Sequence, residues 1–156
     1  MNVPAAPLSA MYQDRLLDEY RAPQNRRSMP DATVRAERSN PVCGDAICVM
    51  VLEADGQLAD VSFTGYGCSL AVASSSLLTQ VVWRRKRGDG LAMVTAVEAM
   101  LAGRAVDAAA WPHALEPLKG VTPFPGRHQC VLMPWLALQE ALEGSRRVCP
   151  PGRSEG

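Results

Sequence analysis

A chain of 156 residues, 47% apolar and 21% charged, has the size and composition of one folded domain with its own core. Its 16 basic and 16 acidic residues cancel, which excludes the broad positive field that nucleic acid or an anionic membrane surface needs. No apolar run approaches the roughly 18 residues of a membrane span. The opening MNVPAAPLSA lacks the basic and apolar regions of a secretory signal, so the reading expects a cytoplasmic chain whose cysteines stay reduced.

Residues 1–8 read as a flexible N-terminal tail, 9–143 as a single domain and 144–156 as a flexible C-terminal tail. Ser9 is placed to cap a helix running to about Arg21, with Tyr12, Leu16, Leu17 and Tyr20 on its apolar side and Ala22-Pro23 ending it. After the loop PQNRRSMPD, Thr33–Glu37 carries a weak edge-strand signal. Clustered β-branched residues predict a strand over Ala46–Glu53, and Asp55-Gly56 predicts a hairpin into a return strand over Gln57–Thr64. Val61 and Phe63 should share one face of it. From Cys68 the period becomes helical, through CSLAVASSSLLTQVVWRRK. The basic run Trp83–Arg87 reads as a solvated helix end, with a docking patch for an acidic partner as the alternative. Gly88-Asp89-Gly90 should break the chain before a helix over 91–102, which stops at Gly103. A further short helix over Val106–Leu118, interrupted at Trp111-Pro112, leads to the loop GVTPFPGR. The final helix carries Leu132, Trp135, Leu138 and Leu142, and Pro134 fits it if the helix proper begins near Met133 or if the first turn is irregular. Strands followed by helices make an α+β domain.

Five cysteines hold the chemistry: Cys43, Cys48, Cys68, Cys130 and Cys149. Cys48 alternates with Met50 and Leu52 in mid-strand and reads as core, and Cys149 lies in the tail with no defined role. The other three sit where irregular chain meets regular structure. Cys43 is on a turn entering a strand, Cys68 follows Gly-Tyr-Gly at a helix start, and Cys130 follows Phe-Pro-Gly-Arg near the start of the last helix. A helix N-terminus favours a thiolate. With the Asp45 carboxylate, three thiolates form a four-donor set suited to zinc. There is no C-x-x-C, and NPVCGDAI is also ordinary turn composition, so spacing alone leaves a metal site and a plain turn both open.

The residues also resemble a known family. EYRAPQN (19–25), NPVCGD (40–45), FTGYGCSLAVASSSLLTQ (63–80) and LKGVTPFPGRHQC (118–130) occur in the order of the U-type iron–sulfur assembly proteins, and within them of the SufU-type sulfurtransferases. The resemblance runs from about Tyr12 to Leu142. It implies a small antiparallel three-stranded sheet packed against several helices. It also implies one Zn2+ held by Cys43, Asp45, Cys68 and Cys130. Two features favour the SufU branch over the IscU-like scaffolds: Gln129 stands where scaffolds carry a histidine, and the interval between Cys68 and Cys130 is long. His128 falls one place too early and reads as a surface or supporting histidine. Arg27 stands where the family commonly has glycine, and Pro134 interrupts the expected continuation of the last helix.

On this resemblance the expected activity is zinc-dependent sulfurtransfer in SUF-type iron–sulfur cluster assembly. Persulfide sulfur would come from a SufS-type cysteine desulfurase and pass to downstream SUF scaffold proteins, with neither nucleic acid nor membrane as a partner. Cys43 is the expected acceptor, released by zinc ligand exchange when the desulfurase docks, and Arg127 would steer or polarise the persulfide. Sulfurtransfer activity is expected only together with the desulfurase. The alternatives are an iron–sulfur cluster assembly scaffold of the same fold, whose cofactor would be an iron–sulfur cluster, and a non-catalytic structural zinc interaction module. A Cys130–His128 hydrolase is a poor fit, since no orienting acid is evident.

Overall fold

The computed structural model describes residues 6–40, 42 and 44–144, of which 6–11 as backbone only. Three antiparallel strands in the order β1-β2-β3 form the sheet: β1 (Val34–Asn40), β2 (Asp45–Ala54) and β3 (Gln57–Tyr66). Asn40 opposes Asp45 across the first hairpin. The second turns at Asp55-Gly56, both in the left-handed region (φ 54° and 76°), the geometry a two-residue hairpin demands and the sequence predicts. Alternation puts Ile47, Val49 and Val51 with Val61 and Phe63 on one face, against the main core. The other face carries a smaller cluster of Met29, Cys48 and Met50. Cys48 is buried there, as its mid-strand position predicts. It is also disulfide-bonded, against the expectation of reduced thiols.

Helices cover the core face: α1 (Ala6–Arg21), α2 (Ser69–Val82), α3 (Arg87–Leu101) and α4 (His128–Leu142), with 3-10 segments at His113–Val121 and Pro125–Arg127. Helix α4 lies along β1 and β2 and packs against α2 and α3, while α1 packs on α2 and the longer 3-10 segment. The buried run Ser74-Ser75-Ser76 in α2 keeps that helix slim enough for close approach on both sides. On one side Ser74 donates to the Val131 carbonyl (2.7 Å) and accepts the Trp135 indole N–H (2.9 Å). On the other, Ser76 donates to Glu19 (2.6 Å) and accepts the Gln24 amide (2.8 Å). An Arg38–Glu140 ion pair ties β1 to α4. The result is the α+β architecture expected, and no helix among the described residues is long and apolar enough to cross a membrane.

Several boundaries differ from the sequence expectation. Helix α1 begins at Ala6, so Ser9 lies inside it; Pro7 sits in the first turn, where its missing N–H costs nothing. Strand β1 extends to Asn40 because pairing with β2 outweighs its weak propensity. Helix α2 stops at Val82, before the basic run. Arg84 takes φ 66°, and Lys86 bridges to Gln57 at the start of β3. Gly88-Asp89-Gly90 does not break the chain but forms the first turn of α3. Asp89 suits the positive end of that helix, and a side chain at Gly90 would press on Leu58 (3.1 Å) and Leu142 (3.4 Å). The helix expected over Val106–Leu118 is instead turns followed by the 3-10 segment, which takes in Gly120-Val121 of the predicted loop. Helix α4 begins at His128, and Pro134 lies within it, lacking the N–H that would bond the Cys130 carbonyl. Burial of Val131, Met133, Trp135 and Leu138 carries the helix through that interruption. The Cys149 expectation falls outside the described residues.

Candidate metal centre

The centre is built where three element starts meet. Asp45 is the first residue of β2, Cys68 is the residue before α2, and Cys130 is the third residue of α4. One ligand atom of each lies within 4.8 Å of the other two. Asp45 and Cys130 are buried and Cys68 is half-buried. Among the described cysteines, Cys68 and Cys130 are outside any disulfide.

Local sequence explains the convergence. Asn40 accepts the Gly44 amide with its carbonyl (2.8 Å) and the Val42 amide with its side chain (3.1 Å), fixing the turn that delivers Asp45. Asp45 then accepts the backbone N–H of Cys68 (3.1 Å), as the acidic member of a capping box would, although it comes from a strand 23 residues upstream. Gly67 permits this contact: a Cβ there would stand 3.2 Å from the Asp45 carboxyl carbon and 3.0 Å from the Ala71 side chain. Gly65 is bound even more tightly, since a Cβ would meet the Ala46 carbonyl oxygen at 2.1 Å. Arg26 donates to the Gly65 carbonyl (2.8 Å) and fixes the approach to Cys68 from the far side of β3. Ser74 locks the turn carrying Cys130 to the helix that starts at Cys68.

Three donors facing one another from two helix N-termini and a strand start form a cradle for a cation. Tetrahedral zinc with thiolates at about 2.3 Å places its ligand atoms about 3.8 Å apart. The observed limit of 4.8 Å is reached from there by small side-chain rotations, so the residues fit the ion. The partial positive charge of two helix ends suits anionic thiolates.

Of the residues singled out in sequence, Asp45, Cys68 and Cys130 come together. Cys43 lies outside the described residues. Arg127 is exposed and lines a cleft of about 290 Å3 with Tyr12, Leu16, Leu70 and Phe124 beside the centre. His128 stands apart from the donor group, its Nε2 3.0 Å from the Thr122 carbonyl, and Gln129 is exposed. Sequence reading missed Arg26, Gly67 and Ser74 as positioning residues. Gly-Tyr-Gly and the small-residue stripe carried a signal for the last two, but only as close packing of unknown purpose.

The NifU-like N terminal domain matches residues 11–131. The chain belongs to that family. Within it, the zinc-dependent sulfurtransferase SufU of Bacillus subtilis (strain 168) is 32% identical over 138 residues, 88% of this chain and 92% of that protein. The iron–sulfur cluster assembly scaffold protein IscU of Streptococcus pyogenes serotype M1 is 30% identical over the same length, 88% of this chain and 86% of that one. The crystal structure of FiSufU, a SUF-system protein of Fervidobacterium islandicum AW-1, superposes with a TM-score of 0.77 at 25% identity, covering 86% of this chain and 98% of that one. Identity therefore assigns the NifU-like family and does not choose between its sulfurtransferase and scaffold branches.

Proposed function

We propose that this chain, a U-type iron–sulfur cluster assembly protein, is the zinc-dependent sulfur acceptor of a SUF-type system, taking persulfide sulfur from a cysteine desulfurase. The observation that carries the reading is the donor set itself. Asp45, Cys68 and Cys130 face one another, while His128 is held on the Thr122 carbonyl and the residue before Cys130 is an exposed glutamine. The cradle thus offers carboxylate and thiolate but no imidazole of its own. Cys43, two residues before Asp45, is tethered within about 7 Å of it along the chain, close enough to supply the fourth donor.

When bound, zinc would keep these thiols deprotonated without redox chemistry. The chain's own residues do the rest. Asp45, Cys68 and Cys130 form the fixed side, anchored by the Cys68 amide, the two helix starts and Ser74. Cys43 is the acceptor. Its thiolate attacks the outer sulfur of the desulfurase persulfide, a new S–S bond forms on Cys43, the donor's S–S bond breaks, and the desulfurase cysteine leaves as a thiolate. Arg127, exposed three residues before Cys130, would attract the anionic persulfide.

The test is alanine release by a SufS-type desulfurase with and without this chain and a zinc chelator, with the acceptor peptide followed by mass spectrometry. Zinc-dependent stimulation and added sulfur on Cys43 are expected. Cys43→Ser accepting sulfur as fast as wild type overturns the assignment. A visible chromophore after anaerobic iron and sulfide reconstitution, without desulfurase stimulation, would instead support the scaffold reading that the IscU relatives suggest.

A further inference from the structure

Where α2 ends, the chain builds a surface that the metal centre does not use. Trp83 is 49% exposed while its indole N–H donates to the Ala59 carbonyl (3.1 Å), so the ring is held rather than free. The Arg84 guanidinium stacks over it, 4.5 Å from the ring centroid. The backbone beneath is pinned to β3. The Arg84 amide donates to Leu58 (2.8 Å), the Leu58 amide donates to Arg85 (2.7 Å), and Lys86 bridges Gln57. Arg84 adopts φ 66°, a left-handed conformation disfavoured for a non-glycine residue. Arg84, Arg85 and Lys86 are exposed, and none of them joins an ion pair among the described residues. Arg87, by contrast, is engaged by Glu53 (2.6 Å). Beside Trp83 lies a hollow of about 300 Å3 lined by Asn25, Asp60, Val61, Thr79 and Gln80, whose one acid is already paired with Arg27 (2.6 Å).

We propose that this edge is a docking surface for an acidic segment of a partner polypeptide. Three consecutive cations outside any ion pair among the described residues, with Arg85 Nε donating to the Val81 carbonyl (2.8 Å), attract carboxylates, and a rigid exposed tryptophan over a hollow is the kind of anchor on which interface energy concentrates. The chain as a whole is neutral, and the patch stops at Lys86, so it offers no stripe of charge for a nucleic-acid backbone to follow. The 14 residues of α2 separate the patch from Cys68 by roughly 20 Å. A partner held here leaves Asp45, Cys68 and Cys130 open. The inference stands on the patch alone and does not depend on the sulfur-transfer reading.

The test is titration of the isotope-labelled full chain with an oligoglutamate peptide, followed by two-dimensional NMR. Shifts are expected at the Trp83 indole and at residues 83–87, with Asp45, Cys68 and Cys130 unmoved. The triple variant Arg84→Gln/Arg85→Gln/Lys86→Gln should bind the peptide about tenfold more weakly or worse, and added salt should weaken wild-type binding by a similar factor. The wild-type map needs no variant to fold. Absence of localised shifts overturns the proposal. So does a triple variant that binds as wild type, or a DNA duplex or anionic vesicle that moves the same resonances at lower concentration than the peptide.

Discussion

Asp45 shows how one side chain serves both fold and site. Its carboxylate accepts the Cys68 amide at the entrance to α2 and at the same time faces the Cys68 and Cys130 thiols. Asp45→Ala should therefore lower the stability of chelated protein by about 1 kcal/mol, the usual cost of a lost cap. It should lower zinc affinity as well, read by competition with a chromogenic chelator. Glu116 is a second residue whose charge belongs to the fold. Its partial burial alone would raise its pKa. The Lys119 ammonium at 3.0 Å, the Trp111 indole N–H at 2.9 Å and the Tyr12 hydroxyl at 3.4 Å together outweigh that and leave the pKa lowered. A carboxyl lowered on folding contributes stability that is fully present above its unfolded pKa and lost as pH falls through the folded value. Denaturation midpoints below neutral pH should show this loss in wild type, and Glu116→Gln should flatten that part of the profile.

At the scale of elements, the site depends on how α2 and α4 are joined. Ser74 is fully buried and uses its hydroxyl in both directions, donating to Val131 and accepting from Trp135. This stitch falls within the stretch of α4 where Pro134 removes a helical N–H, one residue from Cys130. Ser74→Ala would leave the Trp135 indole N–H buried without its acceptor, at a cost of about 1–3 kcal/mol in chemical denaturation. Zinc affinity should fall too, because the turn bearing Cys130 would lose its tie to the helix that starts at Cys68. Ser74→Thr keeps the hydroxyl and should restore more of the affinity than of the stability, since its extra methyl enters a packed interface. The element limits themselves were partly legible in sequence. Asp55-Gly56 announced its hairpin because φ > 0 at both positions is a local demand. The start of α3 was not legible, because Gly88-Asp89-Gly90 has loop composition and is helical only through packing of Gly90 under Leu58 and Leu142.

For the molecule as a whole, a cradle closed by groups from β2, α2 and α4 couples metal binding to folding. Zinc bound to the native chain and not to the unfolded one should raise stability by about 2.7 kcal/mol at a free concentration a hundredfold above its Kd. A thermal melt with zinc and with chelator reads this directly. Removing Cys68 should abolish the difference between the two curves.

The linear chain by itself carried the α+β class, the hairpin and the shared face of Val61 and Phe63, and it singled out Asp45, Cys68 and Cys130, because periodicity, turn chemistry and ligand types are written residue by residue. It did not carry the meeting of Asp45, Cys68 and Cys130. That depends on Asn40 shaping one turn, Gly67 leaving room for a carboxylate, and Ser74 holding two helices together, contacts between residues up to 61 positions apart. Nor did it carry the use of Trp83–Lys86. Read along the chain, that run is the charged end of a helix. Only its pairing to the start of β3 turns it out of the helix and leaves a held tryptophan and three exposed cations outside any ion pair among the described residues.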